Sequence, residues 1–148
     1  MVSVSQYKKL LKPKHKQPEG VQQVRFGSFL KSAKLKDNVI FYTYSGAGEK
    51  KPMTTAINQK RKGLRRGDLD YRFEIVDNNK LRLVYIEFKS SKGSLTPEQK
   101  IFFERHKDLD NATCYIAKSA EEGVEILKME KLLKLDQENN QQLQHLAM

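Results

Sequence analysis

The spacing of apolar residues divides the chain into eight elements. Apolar side chains recur at helical spacing from Glu19 to about Lys36, whereas runs such as Val39-Ile-Phe-Tyr42 are typical of strands. The same criteria predict helices over 19–36, 52–62, 97–107 and from Ser119 to about 135, and strands over 38–44, 69–76, 81–90 and 112–117. Such an order favours an α/β (α+β) fold with a mixed four-stranded sheet flanked by helices.

Local signals define several element ends. Asn tolerates positive φ, so Asn78-Asn79 predicts a hairpin turn between the second and third strands. Thr96-Pro97-Glu98-Gln99 predicts a helix start with a capping box, and Ser119 with Glu122 predicts another. We divide the chain into a basic arm (1–17), one folded domain (18–135) and a polar tail (136–148).

Charge is distributed unevenly between the two halves of the chain. Residues 1–66 carry 16 Lys and Arg against three acids, while the remainder carries 12 against 15. A basic half of this size predicts a polyanionic partner, nucleic acid before a membrane surface, although a merely solubilising surface is the alternative. Cys114 is the only cysteine, and no apolar run reaches membrane-spanning length, so we expect an intracellular (cytoplasmic) protein that does not enter membranes.

The predicted hairpin carries the candidate chemistry. Glu87 and Lys89 share one face of their strand because side chains alternate, and Asp70 lies as far before the Asn78-Asn79 turn as Glu87 lies after it. The two carboxylates are therefore expected to approach each other. Oxygen ligands select a hard cation, Mg²⁺ or Mn²⁺, which could activate water for phosphodiester hydrolysis. The alternative is an exposed Glu-x-Lys pair without chemistry.

Three segments together resemble the VRR-NUC family, the virus-type replication-repair branch of the PD-(D/E)XK nucleases. They read Gly63-Leu-Arg-Arg-Gly67-Asp68-Leu-Asp70, Ile86-Glu87-Phe-Lys89 and Leu95-Thr-Pro-Glu-Gln99. Upstream, Glu19-Gly-Val-Gln-Gln23 and the turn Ser45-Gly46-Ala-Gly48 are also similar to the family pattern. The resemblance implies a restriction-endonuclease-like core, metal-dependent DNA cleavage, and an intracellular enzyme of virus or phage type.

The resemblance also implies roles for individual residues. Asp70, Glu87 and the Phe88 carbonyl would bind the metal, Lys89 would serve the water or the phosphate, and Gln99 and Glu19 would support the site. Leu69 stands where the family has proline, and Ser45 where it commonly has asparagine. The first departure leaves Asp68 as a second candidate ligand beside Asp70, and the spacing from Gly67 favours Asp70.

The DNA-binding surface is predicted from cations around these segments. They are Lys50, Lys51, Lys60, Arg61, Lys62, Arg65, Arg66 and Lys92. Such contacts to phosphates carry no sequence preference. The resemblance to Holliday-junction resolvases implies branched or four-way-junction DNA and a homodimer. The alternatives are a non-catalytic nucleic-acid-binding module and a restriction-type endonuclease acting on linear duplex.

Overall fold

The computed structural model describes residues 18–46 and 51–134, which form four helices and four strands. The helices are α1 (Glu19–Ser32), α2 (Met53–Arg61), α3 (Pro97–His106) and α4 (Ala120–Met129). The strands are β1 (Val39–Tyr44), β2 (Tyr71–Asp77), β3 (Lys80–Phe88) and β4 (Ala112–Ala117). The predicted order of elements is confirmed, and the fold is α+β. The predicted arm (1–17), tail (136–148) and the end of the glycine turn (47–50) lie outside the described residues.

The sheet has the strand order β1-β2-β3-β4. Strands β2 and β3 are antiparallel, with Asp77 opposite Lys80 and Tyr71 opposite Ile86. Asn78 and Asn79 both have positive φ, at 50° and 63°, as a two-residue hairpin turn that follows the strand twist requires. The predicted turn is therefore confirmed, and it fixes the register of the hairpin.

The outer strands pair in opposite senses. In β1, Tyr42 stacks on Phe73, and Tyr44 lies against Tyr71, so β1 is antiparallel to β2. Strand β4 is parallel to β3, because Leu83 N–H donates to the Asn111 carbonyl and, six residues further along both strands, Lys89 N–H donates to the Ala117 carbonyl. The predicted mixed sheet is confirmed.

The described residues fall into two compact units. The first unit comprises residues 18–39, 88–93 and 116–134, and the second unit comprises 40–46, 51–87 and 94–115. In the second unit, Phe102 and Phe103 of α3 pack against a buried cluster of Leu69, Tyr85 and Ala112. The side chain of Ile101 is 51% exposed, since α3 turns the neighbouring phenylalanines inward.

In the first unit, α1 packs against α4. The ring of Phe26 lies 5.1 Å from that of Phe88, and Gly123 lies so close to both that an added Cβ would come within 2.9 Å of ring atoms. Gln22 is buried and accepts a hydrogen bond from Ala120 N–H. Both helices end before the sequence predicts.

Both early helix ends are followed by an extended segment. Helix α4 closes at Met129 because Lys131 adopts a positive φ of 59°, with Leu132 N–H bonded to the Leu127 carbonyl in a Schellman-type cap. The chain then runs extended, and Leu133 forms an antiparallel bridge with Leu35 beyond the end of α1. A residue other than glycine at the cap position hid this helix end from sequence analysis.

Candidate functional site

Two buried carboxylates lie side by side at the open end of the hairpin, where β2 begins and β3 ends. The register that pairs Tyr71 with Ile86 continues to Asp70 opposite Glu87, as the count from the turn predicts. Asp70 is only 6% exposed and Glu87 only 2%. A carboxylate oxygen of Asp70 lies within 4.8 Å of one of Glu87. The hairpin therefore holds two acidic groups close together and away from bulk water.

Hydrogen bonds fix the orientation of the Glu87 carboxylate. Its Oε1 accepts from Gln99 Nε2 at 2.7 Å, and its Oε2 accepts from Asp70 N–H at 3.0 Å. A carboxylate offers about four lone-pair positions, so these two donors and a cation can share one carboxylate group. Gln99 therefore contacts Glu87 directly, and its role in metal binding stays a prediction.

The helix cap determines which way the Gln99 amide points. Gln99 N–H donates to Thr96 Oγ1 at 3.2 Å, and Gln99 Oε1 accepts from Thr96 N–H at 3.0 Å, which completes the predicted capping box. With its oxygen held by the cap, the amide directs its NH₂ group to Glu87. One side chain, 7% exposed, therefore both starts α3 and positions an acidic group.

Gly67 allows the segment before β2 to pass close to the first turn of α3. Its φ is +97°, and a Cβ at this position would lie 2.8 Å from the Glu98 carbonyl oxygen. Any larger residue would push Asp68–Asp70 away from α3 and from Gln99. This contact explains physically why the second glycine of the Gly63–Gly67 segment is needed.

We expect Gly67→Ala to reduce the free energy of unfolding by at least about 2 kcal/mol, because strain at positive φ adds to a backbone clash. Gly63→Ala is the matched control, since Gly63 has φ +101° but nothing within 4 Å of its Cβ position. It should cost only about 1–2 kcal/mol. Urea denaturation of both variants measures the difference, and equal losses would contradict the role given to the contact with Glu98.

The structure separates Asp70 from Asp68. Asp70 is held through its backbone, because its N–H bonds to Glu87 and its carbonyl accepts from Ser45 N–H at 2.8 Å. The predicted glycine turn thus contacts the site through Ser45. Asp68 is half-exposed, and its Oδ1 accepts from Leu69 N–H at 2.9 Å. Asp70 is therefore the acid placed beside Glu87, in line with the spacing from Gly67.

Three further predicted site residues lie in the first unit. Lys89 follows β3 and is 9% exposed, so the alternative of an exposed Glu-x-Lys pair is wrong. The ring of Phe88 packs against that of Phe26. The side chain has no ligand atom, so only its backbone carbonyl could bind a metal. Glu19 is the first residue of α1 and is half-buried. The metal-related roles of these three residues stay predictions.

The chemistry of the carboxylate pair fits a hard divalent cation. Two like charges in a poorly hydrated place are unfavourable unless a cation or a proton lies between them. Oxygen atoms bound to one Mg²⁺ lie about 2.9–4.2 Å apart, because each is about 2.1 Å from the ion. The separation of under 4.8 Å between Asp70 and Glu87 oxygens is close to that range. No sulfur or imidazole ligand belongs to the predicted set.

Most of the predicted DNA-binding cations are exposed. Helix α2 has no buried residue, and it presents its basic end to solvent. Lys51 is half-buried, with Nζ donating to Gln59 Oε1 at 2.7 Å. Lys50 lies outside the described residues, and Lys92 is exposed in the first unit. The exposed cations of the second unit are Lys60, Arg61, Lys62, Arg65 and Arg66.

A cavity of about 550 Å³ lies beside the segment that leads to Asp70. Its wall includes Arg65, Arg66 and Asp68 from that segment, and a face of α3 with Glu98, Phe102 and His106. Sequence analysis missed this face, although Glu98, Ile101, Phe102, Arg105 and His106 follow the i, i+3, i+4, i+7, i+8 spacing of one helix surface. Exposed charges within that spacing are the signal that could have found it.

Cys114 is a half-buried thiol in the second unit, and it packs against the buried cluster of Leu69, Tyr85 and Ala112. Burial raises its pKa to about 11, so the thiolate is scarce at neutral pH and the residue is a poor nucleophile. This environment is consistent with a structural role for Cys114.

Comparisons with family models, curated proteins and solved structures find no match to this chain. Among the described residues, none of the helices has the length and apolar character needed to cross a membrane.

Proposed function

We propose that this protein is a Mg²⁺- or Mn²⁺-dependent DNA endonuclease that hydrolyses phosphodiester bonds, with the PD-(D/E)XK type of core that its sequence resembles. The observation that carries the proposal is the buried Asp70–Glu87 pair, in which Glu87 is held by Gln99 and by a backbone N–H. Two neighbouring buried carboxylates repel each other, and a bound divalent cation would offset that repulsion.

Each residue of the proposed site has a separate role. Asp70 and Glu87 hold the cation, with the Phe88 carbonyl and Glu19 as further predicted ligands. A bound divalent ion would polarise the phosphodiester and lower the pKa of a water. Gln99 keeps Glu87 in the orientation for binding, and Lys89 orients the attacking water or neutralises charge that develops on the phosphate.

The exposed cations of the second unit support DNA as the substrate. Lys60, Arg61, Lys62, Arg65 and Arg66 lie on α2 and on the segment that leads to Asp70. Their contacts would be to phosphates, so we infer recognition of DNA structure rather than of sequence. Branched or four-way-junction DNA and a homodimer follow from the resemblance to junction resolvases, and they complete the proposal.

A cleavage assay on purified full-length protein tests the function. Labelled four-way junction and linear duplex are incubated with Mg²⁺, Mn²⁺ or EDTA. We expect junction cleavage with either metal and none in EDTA, and we expect Lys89→Ala to abolish cleavage with binding retained. Metal-independent binding without cleavage would contradict an enzymatic function and indicate a non-catalytic nucleic-acid-binding module. Cutting of linear duplex at one fixed sequence would favour a restriction-type enzyme instead.

The Gln99 contact yields a separate prediction about metal binding. Gln99→Glu keeps an acceptor for Thr96 N–H, so the helix cap survives, but it replaces the donor to Glu87 by a carboxylate. We expect the cleavage rate to fall about 10–100-fold because Glu87 loses the donor that orients it, while the added carboxylate leaves Mn²⁺ affinity at or above the wild-type value. Titration calorimetry with Mn²⁺ and single-turnover cleavage measure the two effects. Glu104→Gln, on the exposed surface of the same helix and outside the cavity lining, is the control, and an equal loss there would contradict the assignment.

A further inference from the structure

The cavity beside Asp68 combines aromatic and positively charged surface, both of which a nucleotide can use. Its volume of about 550 Å³ lies within the roughly 300–1,000 Å³ of small-molecule sites. Phe102 and His106 provide aromatic surface, and Arg65, Arg66 and Arg105 provide positive charge. All of these residues belong to the second unit, as do Asp70 and Glu87.

The aromatic part of the cavity is already arranged for stacking. The rings of Phe102 and His106 are nearly parallel, with an interplanar angle of 17° and centroids 4.1 Å apart. The ring of Tyr85 meets both edge-on, at 5.0 and 5.4 Å. His106 Nδ1 lies 2.6 Å from the Phe102 carbonyl. A carbonyl only accepts, so Nδ1 carries the hydrogen and the imidazole is held in place.

Charges around the aromatic pair complement a nucleotide rather than a simple apolar ligand. Three arginines outnumber the carboxylates of Asp68 and Glu98, so the cavity favours an anion such as one phosphate. The carboxylates can accept hydrogen bonds from the amino groups of a base. A paired base in duplex DNA cannot stack on a side chain, whereas an unpaired base can.

The cavity is also continuous in sequence with the acidic pair. Asp68 lies two residues before Asp70, and Glu98 immediately precedes Gln99, which contacts Glu87. A nucleotide in the cavity would therefore lie beside the segments that carry Asp70 and Gln99. We propose that this cavity binds an unpaired nucleotide of the DNA substrate by stacking on Phe102 and His106, an inference that rests on the proposed function.

Binding to duplexes with and without an overhang tests the inference. The overhang is three nucleotides long, at the 5′ or the 3′ end, and carries 2-aminopurine. Binding to wild-type protein in EDTA is followed by anisotropy and by 2-aminopurine fluorescence. We expect at least one overhang duplex to bind about tenfold tighter than the blunt duplex, with quenching of 2-aminopurine by stacking.

Two variants of α3 separate stacking from stability. Phe102→Leu and Phe103→Leu each remove one ring that packs on the same cluster, but only Phe102 lines the cavity. Phe102→Leu should abolish the overhang preference and the quenching, whereas Phe103→Leu should keep both. Equal affinities of wild-type protein for blunt and overhang duplexes would overturn the inference, and so would equal effects of the two variants.

Together with the cleavage assay, this experiment distinguishes failure of the nucleotide cavity from failure of the proposed nuclease function. Junction cleavage by wild-type protein with Mg²⁺, without any overhang preference, would reject the nucleotide cavity and leave the nuclease. Overhang preference without cleavage under any metal would reject the nuclease and support the cavity as a binding site. Absence of binding to every DNA would reject both.

Discussion

Glu87→Gln is expected to lower the single-turnover rate of junction cleavage by at least about 10³-fold, while the dissociation constant for the junction in EDTA changes little. The substitution keeps the size of the side chain but removes the charge that attracts a divalent cation. Since Glu87 is 2% exposed and bonded at both oxygens, water cannot readily replace it as a ligand. A large loss of rate with retained binding would identify Glu87 as part of the reacting centre.

The same substitution has a structural cost that a control must measure. An amide can accept from only one of the two donors, Gln99 Nε2 and Asp70 N–H, and one unsatisfied buried donor costs about 1–3 kcal/mol. Removal of repulsion from Asp70 partly offsets this cost. Glu74→Gln, on the same hairpin and half-buried, removes the same charge elsewhere. If Glu74→Gln reduced cleavage as much as Glu87→Gln, or if the Glu87→Gln protein cleaved the junction at the wild-type rate, the proposed site would be wrong.

The second large effect is expected from Asp70→Asn, which should reduce cleavage by about 10²–10³-fold and eliminate high-affinity Mn²⁺ binding. Asp68→Asn should leave Mn²⁺ binding near wild type and should reduce cleavage far less than Asp70→Asn does. The structure places a carboxylate oxygen of Asp70 within 4.8 Å of Glu87, whereas Asp68 faces the nucleotide cavity and bonds to Leu69 N–H. Mn²⁺ calorimetry adds a readout that does not depend on turnover.

The two aspartate variants control each other, because each removes one negative charge from the same short segment. The side chain in Asp68→Asn retains an oxygen that can accept from Leu69 N–H, and the backbone bonds of residue 70 do not involve its side chain. Neither change should unfold the protein. An inactive Asp68→Asn protein together with an active Asp70→Asn protein would transfer the ligand assignment to Asp68.

Much of the site could be predicted because its geometry follows from local rules. The Asn78-Asn79 turn sets the register, and side-chain alternation then places Asp70 and Glu87 at equal distances from it. The Thr96–Gln99 capping box is equally local, since four consecutive residues contain all of its donors and acceptors. Chain connectivity alone brings these groups into position.

Longer-range packing decided the features that sequence analysis missed or misjudged. The extended segments that follow α1 and α4 are held by the bridge between Leu35 and Leu133, which are far apart in sequence. The exposure of Ile101 depends on which face of α3 meets Tyr85 and Leu69. Periodicity shows that a helix has two faces, but the partner determines which apolar residues remain at the surface.

The sequence by itself determined the order of the elements, the hairpin register and the acidic pair, because turns, caps and alternation act within a few residues. Only the tertiary structure decided that Glu87 and Lys89 are buried and that the Gln99 amide serves both the cap and Glu87. It also brought Arg65 and Phe102 around one cavity. Burial and contacts between distant segments arise from packing of the whole unit, which no local pattern encodes.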